Sequence, residues 1–282
     1  MTPTQGASLW APTRDGRRLH ATTLGAGSPT VVFEGGSAAS RLSWSLVQPR
    51  VADFARAVAY DRSGLGRSAS DPAGRTLDRM ADDLNDLLDG LGEGPFVLAG
   101  HSAGGPIVRL AAARRPERIT GLVLVEPVDE TADVLFGEDF RRGERRALRA
   151  GAVLARLGVL HLLFRAQLAV VPADVRAQMR REAFTPGVMR TAGVQAGSFF
   201  DELAAWRADP PPLGSIPVTV ISGTRTGDGL DAAARAAANA SHAHRAATSP
   251  SGRHVLAAHS AHDVPFTDPA LIAEEIRRLA RP

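Results

Sequence analysis

The chain has 282 residues, 44% hydrophobic and 22% charged, ordinary values for one large globular domain or a domain carrying an insertion. Its formal net charge is +3 and all 33 basic residues are arginine; the densest stretch, Arg141 to Arg149, alternates with Glu138, Asp139 and Glu144 as a solvated helix face does, which excludes a nucleic-acid footprint. The absence of cysteine excludes disulfides, thiolate catalysis and cysteine-ligated metals.

Met1 to Gly16 is polar and carries no apolar stretch of a secretory signal. Leu19–Leu24 reads as an early strand after a turn at Asp15-Gly16. Thr30–Phe33 and Ala57–Tyr60 are short β-branched apolar runs, expected as buried strands, with a helix between them over Trp44 to Phe54. Thr76 opens a helix whose Leu77, Met80, Ala81, Leu84, Leu87, Leu88 and Leu91 share one face, while Asp82, Asp83, Asp86 and Asp89 are expected to face out. Phe96–Ala99 is a strand, Gly104–Arg115 a helix ended by Pro116, and Ile119–Val125 a strand. From about Asp129 to Pro212 the alternation stops and the segment reads as helical, ending in the stiff Asp209-Pro210-Pro211-Pro212. Its most apolar stretch, Gly151 to Val171, is interrupted by Arg156, His161 and Arg165, so no stable membrane insertion is expected. Val218–Ser222 and His254–Ala258 are further strands, and Leu271–Leu279 a closing helix. Strands alternating with helices argue for a mostly parallel sheet covered on both faces. The expected organisation is a core of residues 1–128 and 213–282 with a helical lid, 129–212, inserted between two strands.

Gly100-His101-Ser102-Ala103-Gly104 fits the pattern Gly-x-Ser-x-Gly, and it stands between a strand and a helix. That context lets a serine sit in a strained turn, with small residues two before and two after so that the chains pass.

At this point the chain resembles the α/β-hydrolase superfamily. Val31-Val32-Phe33-Glu34-Gly35-Gly36, Tyr60-Asp61-Arg62-Ser63-Gly64-Leu65-Gly66-Arg67-Ser68, the serine motif and Ser260-Ala261-His262-Asp263 occur in that family's order, over nearly the whole chain except the lid. The resemblance implies an α/β-hydrolase fold, Ser102 as nucleophile and a histidine last in the chain as base. His262, before Asp268-Pro269, matches the family pattern except that Ala261 replaces the usual glycine; His259 is the alternative, and His242 and His244 read as surface residues of a polar loop. The Asp61-Arg62 loop looks like a family element of mainly structural role.

For the acid, the strand Val218–Ser222 is followed by Thr226 where many relatives carry aspartate, leaving Asp228 as the nearby choice. Glu126, which closes the strand Ile119–Val125, is the leading candidate: a strand's carboxyl end points into a ligand crevice. Its placement resembles that of haloalkane dehalogenases and resorcylic-lactone hydrolases. The oxyanion donors implied are the backbone N–H groups of Ala103 and Gly36, with Glu34 where many relatives have histidine. Leu154, Leu157, Val159, Leu160, Leu162, Leu163, Phe164 and Leu168 are expected mainly as lid core. Phe199, Phe200 and Trp206 could face the site or pack.

The function expected is hydrolysis of a carboxylic ester through an acyl-serine, with no metal or organic cofactor, on a small-molecule substrate. A lactone is the alternative substrate, and a non-catalytic ligand-binding protein on the same fold the alternative class. A cytoplasmic location is expected. Oligomeric state and substrate identity are not legible in the sequence.

Overall fold

The computed structural model describes residues 3–227 and 230–281. Eight strands form one sheet: β1 (Ala7–Pro12), β2 (Arg18–Leu24), β3 (Thr30–Glu34), β4 (Arg56–Tyr60), β5 (Phe96–His101), β6 (Ile119–Val125), β7 (Val218–Gly223) and β8 (Arg253–Ala257). Their order is β1-β2-β4-β3-β5-β6-β7-β8, with β1–β2 and β2–β4 antiparallel and every other pair parallel. The winding direction reverses between β3 and β5, so the loops that leave the carboxyl ends of these two strands diverge and open a crevice there. The candidate site lies at that reversal.

The helices are α1 (Gln48–Ala52), α2 (Leu77–Leu91), α3 (Gly104–Arg114), α4 (Glu138–Arg156), α5 (Arg165–Val170), α6 (Ala173–Glu182), α7 (Pro186–Ala196), α8 (Phe199–Ala205), α9 (Ala232–Ala247), α10 (Val264–Thr267) and α11 (Pro269–Ala280). Strands β3, β5 and β6 are apolar on both faces because helices cover both. Val31, Phe33, Val97, Ala99, Val123 and Val125 pack against Val47 and Val51 near α1 and Ile272 and Ile276 of α11. Val32, Leu98, Leu122 and Leu124 face Leu84, Leu87, Ile107 and Val108 of α2 and α3. Each such fully buried aliphatic side chain contributes roughly 1.5–3 kcal/mol.

Thr76 caps α2 by accepting from the Arg79 N–H, and the apolar stripe is buried as its spacing requires. Two acids on that helix do not face out. Asp83 accepts from Arg17 at 2.6 Å and Asp86 from the Arg14 N–H at 2.8 Å, because β1, β2 and their turn lay two arginines along its edge. The helix expected over Trp44 to Phe54 is a 3-10 turn (Arg41–Trp44) followed by the short α1. Helix α9 replaces the expected polar loop. Asp231 caps it, accepting from the Ala234 N–H at 2.8 Å, and its alanines supply the helix propensity.

Between β6 and β7 the chain forms α4 to α8. This segment is tied down at its start: Asp129 and Glu130 are buried, and accept from Arg245 of α9 (2.8 Å to Asp129) and Arg109 of α3 (2.6 Å to Glu130). It is tied further along by Glu182, which accepts from Arg41 and Arg67 at 2.9 Å each, and by Glu202, which accepts from the Leu77 N–H at 2.6 Å. The apolar run at its centre is not a core. Leu160 and Leu168 are buried, but Leu157 is 68% exposed, Leu163 66% and Leu162 58%; Leu157 lies beside Gly158 (φ +74°), at a bend of 117° between the flanking helical segments. Among the described residues no single helix is long and apolar enough to cross a membrane.

Candidate active site

Ser102 follows β5 with φ of +55°, the left-handed region that an L-residue occupies at a cost of about 1–3 kcal/mol. The turn is held from outside: the Ser102 N–H donates to Val125 O at 3.0 Å, and the Val128 N–H donates to Ser102 O at 3.1 Å. The flanking glycines are required by contact. A Cβ on Gly100 would lie 2.5 Å from the Gly104 oxygen, and one on Gly104 would lie 2.7 Å from the oxygens of both Glu34 and Gly35.

Glu126 follows β6, also with positive φ, +46°. Its N–H donates to Ile221 O at 2.8 Å, which turns the buried side chain across the end of β7. There Oε1 accepts from the Gly223 N–H at 2.6 Å, and Oε2 accepts from Arg235 Nη1 at 2.6 Å and faces His262 Nδ1 at 3.3 Å. Burial opposes the charge of this carboxylate, but the hydrogen bond and charge of His262, with His242 and Arg235, outweigh it and hold the group at about 2. An ionised Oε2 accepts only, so the proton between the pair sits on His262 Nδ1. That tautomer leaves Nε2 as the basic nitrogen.

His262 lies in the loop between β8 and α10. His101, adjacent to Ser102, donates from Nε2 to His262 O at 3.0 Å, and their rings lie 4.8 Å apart. Burial, then the charge of His262, pushes His101 down to about 4, so it is neutral at neutral pH. Ser102 and His262 both line a cavity of about 320 Å³, walled by Leu42, Leu160, Phe164, Met179, Phe184 and Phe266. A second cavity of about 120 Å³ also reaches Ser102, bounded by Ala103, Val128, Phe140, Phe199 and Phe200. Trp206 instead packs under the Arg109 guanidinium, 5.2 Å from ring centre to Cζ.

The loop after β3 is anchored from behind. Arg62 donates to Glu34 and to the carbonyls of Gly35 and Gly36 (2.6 Å to the latter), and Tyr60 donates to Glu34. A trans peptide sets its N–H opposite its carbonyl, so with both carbonyls drawn toward Arg62 the N–H groups of Gly36 and Ser37 point away from it, while the Ala39 N–H donates to Gly36 O at 3.2 Å. Gly36 is in contact range of Ser102: a Cβ there would be 3.2 Å from the serine Cβ. Ala103 is the N-cap of α3, where the first N–H groups have no partner inside the helix. Ser37, which sequence reasoning did not select, lines both cavities with Ser102.

The structure thus brings together Ser102, His262, Glu126, Gly36 and Ala103. His259 is exposed. Asp228 lies outside the described residues. His242 is buried in α9, not in a surface loop: its Nε2 donates to Pro127 O at 2.8 Å, so its Nδ1 accepts from Ser222, which in turn accepts from His254. His244 is exposed, on the same helix. Arg235 was not anticipated. It sits one turn into α9, 109 residues from Glu126, and only the fold joins them.

Residues 29–269 match the sequence profile of the alpha/beta hydrolase fold, and the chain belongs to that family. Among curated proteins it is similar to the uncharacterized protein YqjL of Bacillus subtilis, 33% identical over 104 residues, covering 36% of this chain and 41% of that one. The first curated relatives are matched over 33% to 41% of their own length. Among solved structures it is similar to the epoxide hydrolase CorEH (TM-score 0.72, 20% identity, 97% of this chain and 98% of that one). It is similar also to a thermophilic esterase from Thermogutta terrifontis (TM-score 0.68, 20% identity, 98% and 100%).

Proposed function

We propose that the chain is a serine hydrolase that cleaves a carboxylic ester through an acyl-Ser102 intermediate. The observation that carries this reading is the Nδ1-to-Glu126 contact of His262 beside a strained Ser102, both on one apolar cavity. His262 Nε2 takes the Ser102 proton as Oγ attacks the carbonyl, and Glu126 holds the imidazolium that forms. Negative charge builds on the carbonyl oxygen, where the N–H groups of Gly36 and Ala103 stabilise it; each such donor is worth roughly 3–4 kcal/mol of barrier. The alcohol leaves with the proton from His262, and water repeats the sequence to release the acid.

The serine supports acyl transfer over the other chemistries of the fold. An epoxide or haloalkane requires a carboxylate nucleophile to form an alkyl-enzyme ester, and position 102 supplies a hydroxyl. Among the similar solved structures, the esterase is one whose named activity this nucleophile suits. A lactone is the second substrate reading, favoured by the position of Glu126 at the end of β6. Residues 129–212 act in this account as a lid that roofs the larger cavity through Leu160, Phe164 and Phe184. Hydrolysis of p-nitrophenyl acetate, butyrate and octanoate by wild type and Ser102→Ala tests it. Ser102-dependent release supports the ester reading. Release from none of the three, with turnover of a lactone, moves the reading to lactones, and tight ligand binding without turnover moves it to a binding protein.

A further inference from the structure

The two cavities at Ser102 differ in size and in access to the base. The larger contains His262, and its walls are mostly apolar, with Ser40, Ser43, Gln167 and Asp263 among them. The smaller reaches Ser102, Ser37 and Ala103 but not His262. In the acyl-transfer scheme the departing alcohol oxygen takes its proton from His262, so the alcohol occupies the larger cavity. The substituent on the acyl carbon then extends the other way, into the smaller.

Beyond Ser102 and Ser37, that smaller cavity has two polar groups, Glu144 and Gln195, on otherwise apolar walls. Glu144 of α4 lines it, and among the described residues no donor or cation lies within bonding distance of its carboxylate. Two of its neighbouring arginines are engaged elsewhere: Arg141 donates to Asp201 at 2.6 Å and Arg142 to Asp139 at 2.6 Å; Arg145 acts on Glu144 only through its charge. Burial pushes the Glu144 carboxyl up, against the pull of Arg141 and Arg145. The second group is Gln195 of α7, 2% exposed, whose Oε1 accepts from Arg62 and Arg75 at 3.5 Å each. Two arginine donors need the oxygen on their side, which turns the amide nitrogen, a donor, the other way.

We infer that the acyl group of the substrate is short and carries a hydrogen-bond donor, a hydroxyl or an ammonium, that Glu144 accepts. This rests on the acyl-serine reading. A plain alkyl chain in this cavity would desolvate a carboxylate and return nothing to it, whereas a donor restores the lost hydrogen bond. Gln195 adds a donor for the hydroxyl oxygen.

The test compares three esters of benzyl alcohol with one carbon skeleton: butyrate, 3-hydroxybutyrate and 3-aminobutyrate. Wild type is expected to favour at least one donor-bearing ester over the butyrate by about tenfold or more in kcat/KM. In Glu144→Leu that ratio falls toward one. In Glu144→Gln, which keeps an acceptor and loses the charge, a preference for hydroxyl persists and one for ammonium does not. Ser102-dependent turnover of all three with a ratio near one in wild type, or a ratio unchanged in Glu144→Leu, overturns this inference and leaves the ester reading standing. No Ser102-dependent turnover of any of the three overturns both.

Discussion

Arg235 Nη1 lies 2.6 Å from Oε2 of Glu126, the same oxygen that faces Nδ1 of His262 at 3.3 Å. One carboxylate oxygen is shared between a permanent cation and a base that becomes a cation only during the reaction. Arg235 is buried and reaches Glu126 through this one nitrogen. The arginine fixes the carboxylate before substrate arrives, and His262 draws on a charge already in place. In Arg235→Met the carboxylate loses its permanent partner and is left with His262 and the Gly223 N–H. We expect a stability loss of about 3–5 kcal/mol, read by urea denaturation. We also expect kcat to fall more than KM rises, because the charge is needed chiefly when the imidazolium forms.

The depressed Glu126 carboxyl makes stability pH-dependent in a defined window. Its folded value is about 2 against an ordinary 4.5, so its contribution is complete above about 5 and is lost as pH falls through 2. At about 1.36 kcal/mol per pH unit, the gap corresponds to roughly 3 kcal/mol. The difference in unfolding free energy between wild type and Glu126→Gln should therefore be largest at neutral pH and shrink between pH 5 and pH 2. A difference independent of pH over that range would mean that Glu126 is not held ionised.

The Glu34–Arg62 pair separates folding from catalysis. Arg62→Met frees the Gly35 and Gly36 carbonyls and leaves Glu34 buried without its cation. A fall in kcat of about ten- to a hundredfold is expected, together with a stability loss of about 3–5 kcal/mol. In Glu34→Gln/Arg62→Met the buried charge is gone, so stability should recover in part while kcat stays low. If kcat recovers in step with the melting temperature, Arg62 supports the fold and does not aim the loop.

Gly104→Ala places a methyl 2.7 Å from two backbone oxygens of the loop after β3, and neither can yield without moving Gly35. A loss of about 1–3 kcal/mol or more and a fall in ester turnover are expected. Gly143→Ala is the matched control. It lies inside α4 with no atom within 4 Å of the added carbon, and should raise stability by about 0.5–1 kcal/mol. Thermal melting and p-nitrophenyl butyrate turnover on both variants read the contrast.

What the sequence made legible was what depends on near neighbours in the chain. Ser102 was readable because Gly100, Gly104, a strand and a helix all lie within a few residues of it, and Glu126 because it follows the apolar run Leu122 to Val125. The βα alternation argued for a mostly parallel sheet, but the order β4-β3-β5, which brings the Gly36 loop to Ser102, was not read from it and came from the coordinates. Arg235 was not readable, since its partner is fixed by how α9 docks against β7 and not by anything beside it. Asp231 before a run of alanines was nonetheless a usable helix signal, and reading the run as a loop also misplaced His242. In the helical segment, composition showed Leu157, Leu162 and Leu163 to be apolar, but only the packing of the following turn shows them exposed. Arg62 was assigned a structural part by resemblance; its hold on two carbonyls of the candidate oxyanion loop required coordinates.

The most direct test of the central claim is peptide mapping after rapid quench of the enzyme with p-nitrophenyl butyrate, alongside Ser102→Ala. The account predicts one butyryl group on the peptide containing Ser102, absent from the variant, with turnover in the variant reduced by roughly 10³-fold or more. A butyryl group on another residue, or a variant that still hydrolyses the ester at the wild-type rate, would contradict it.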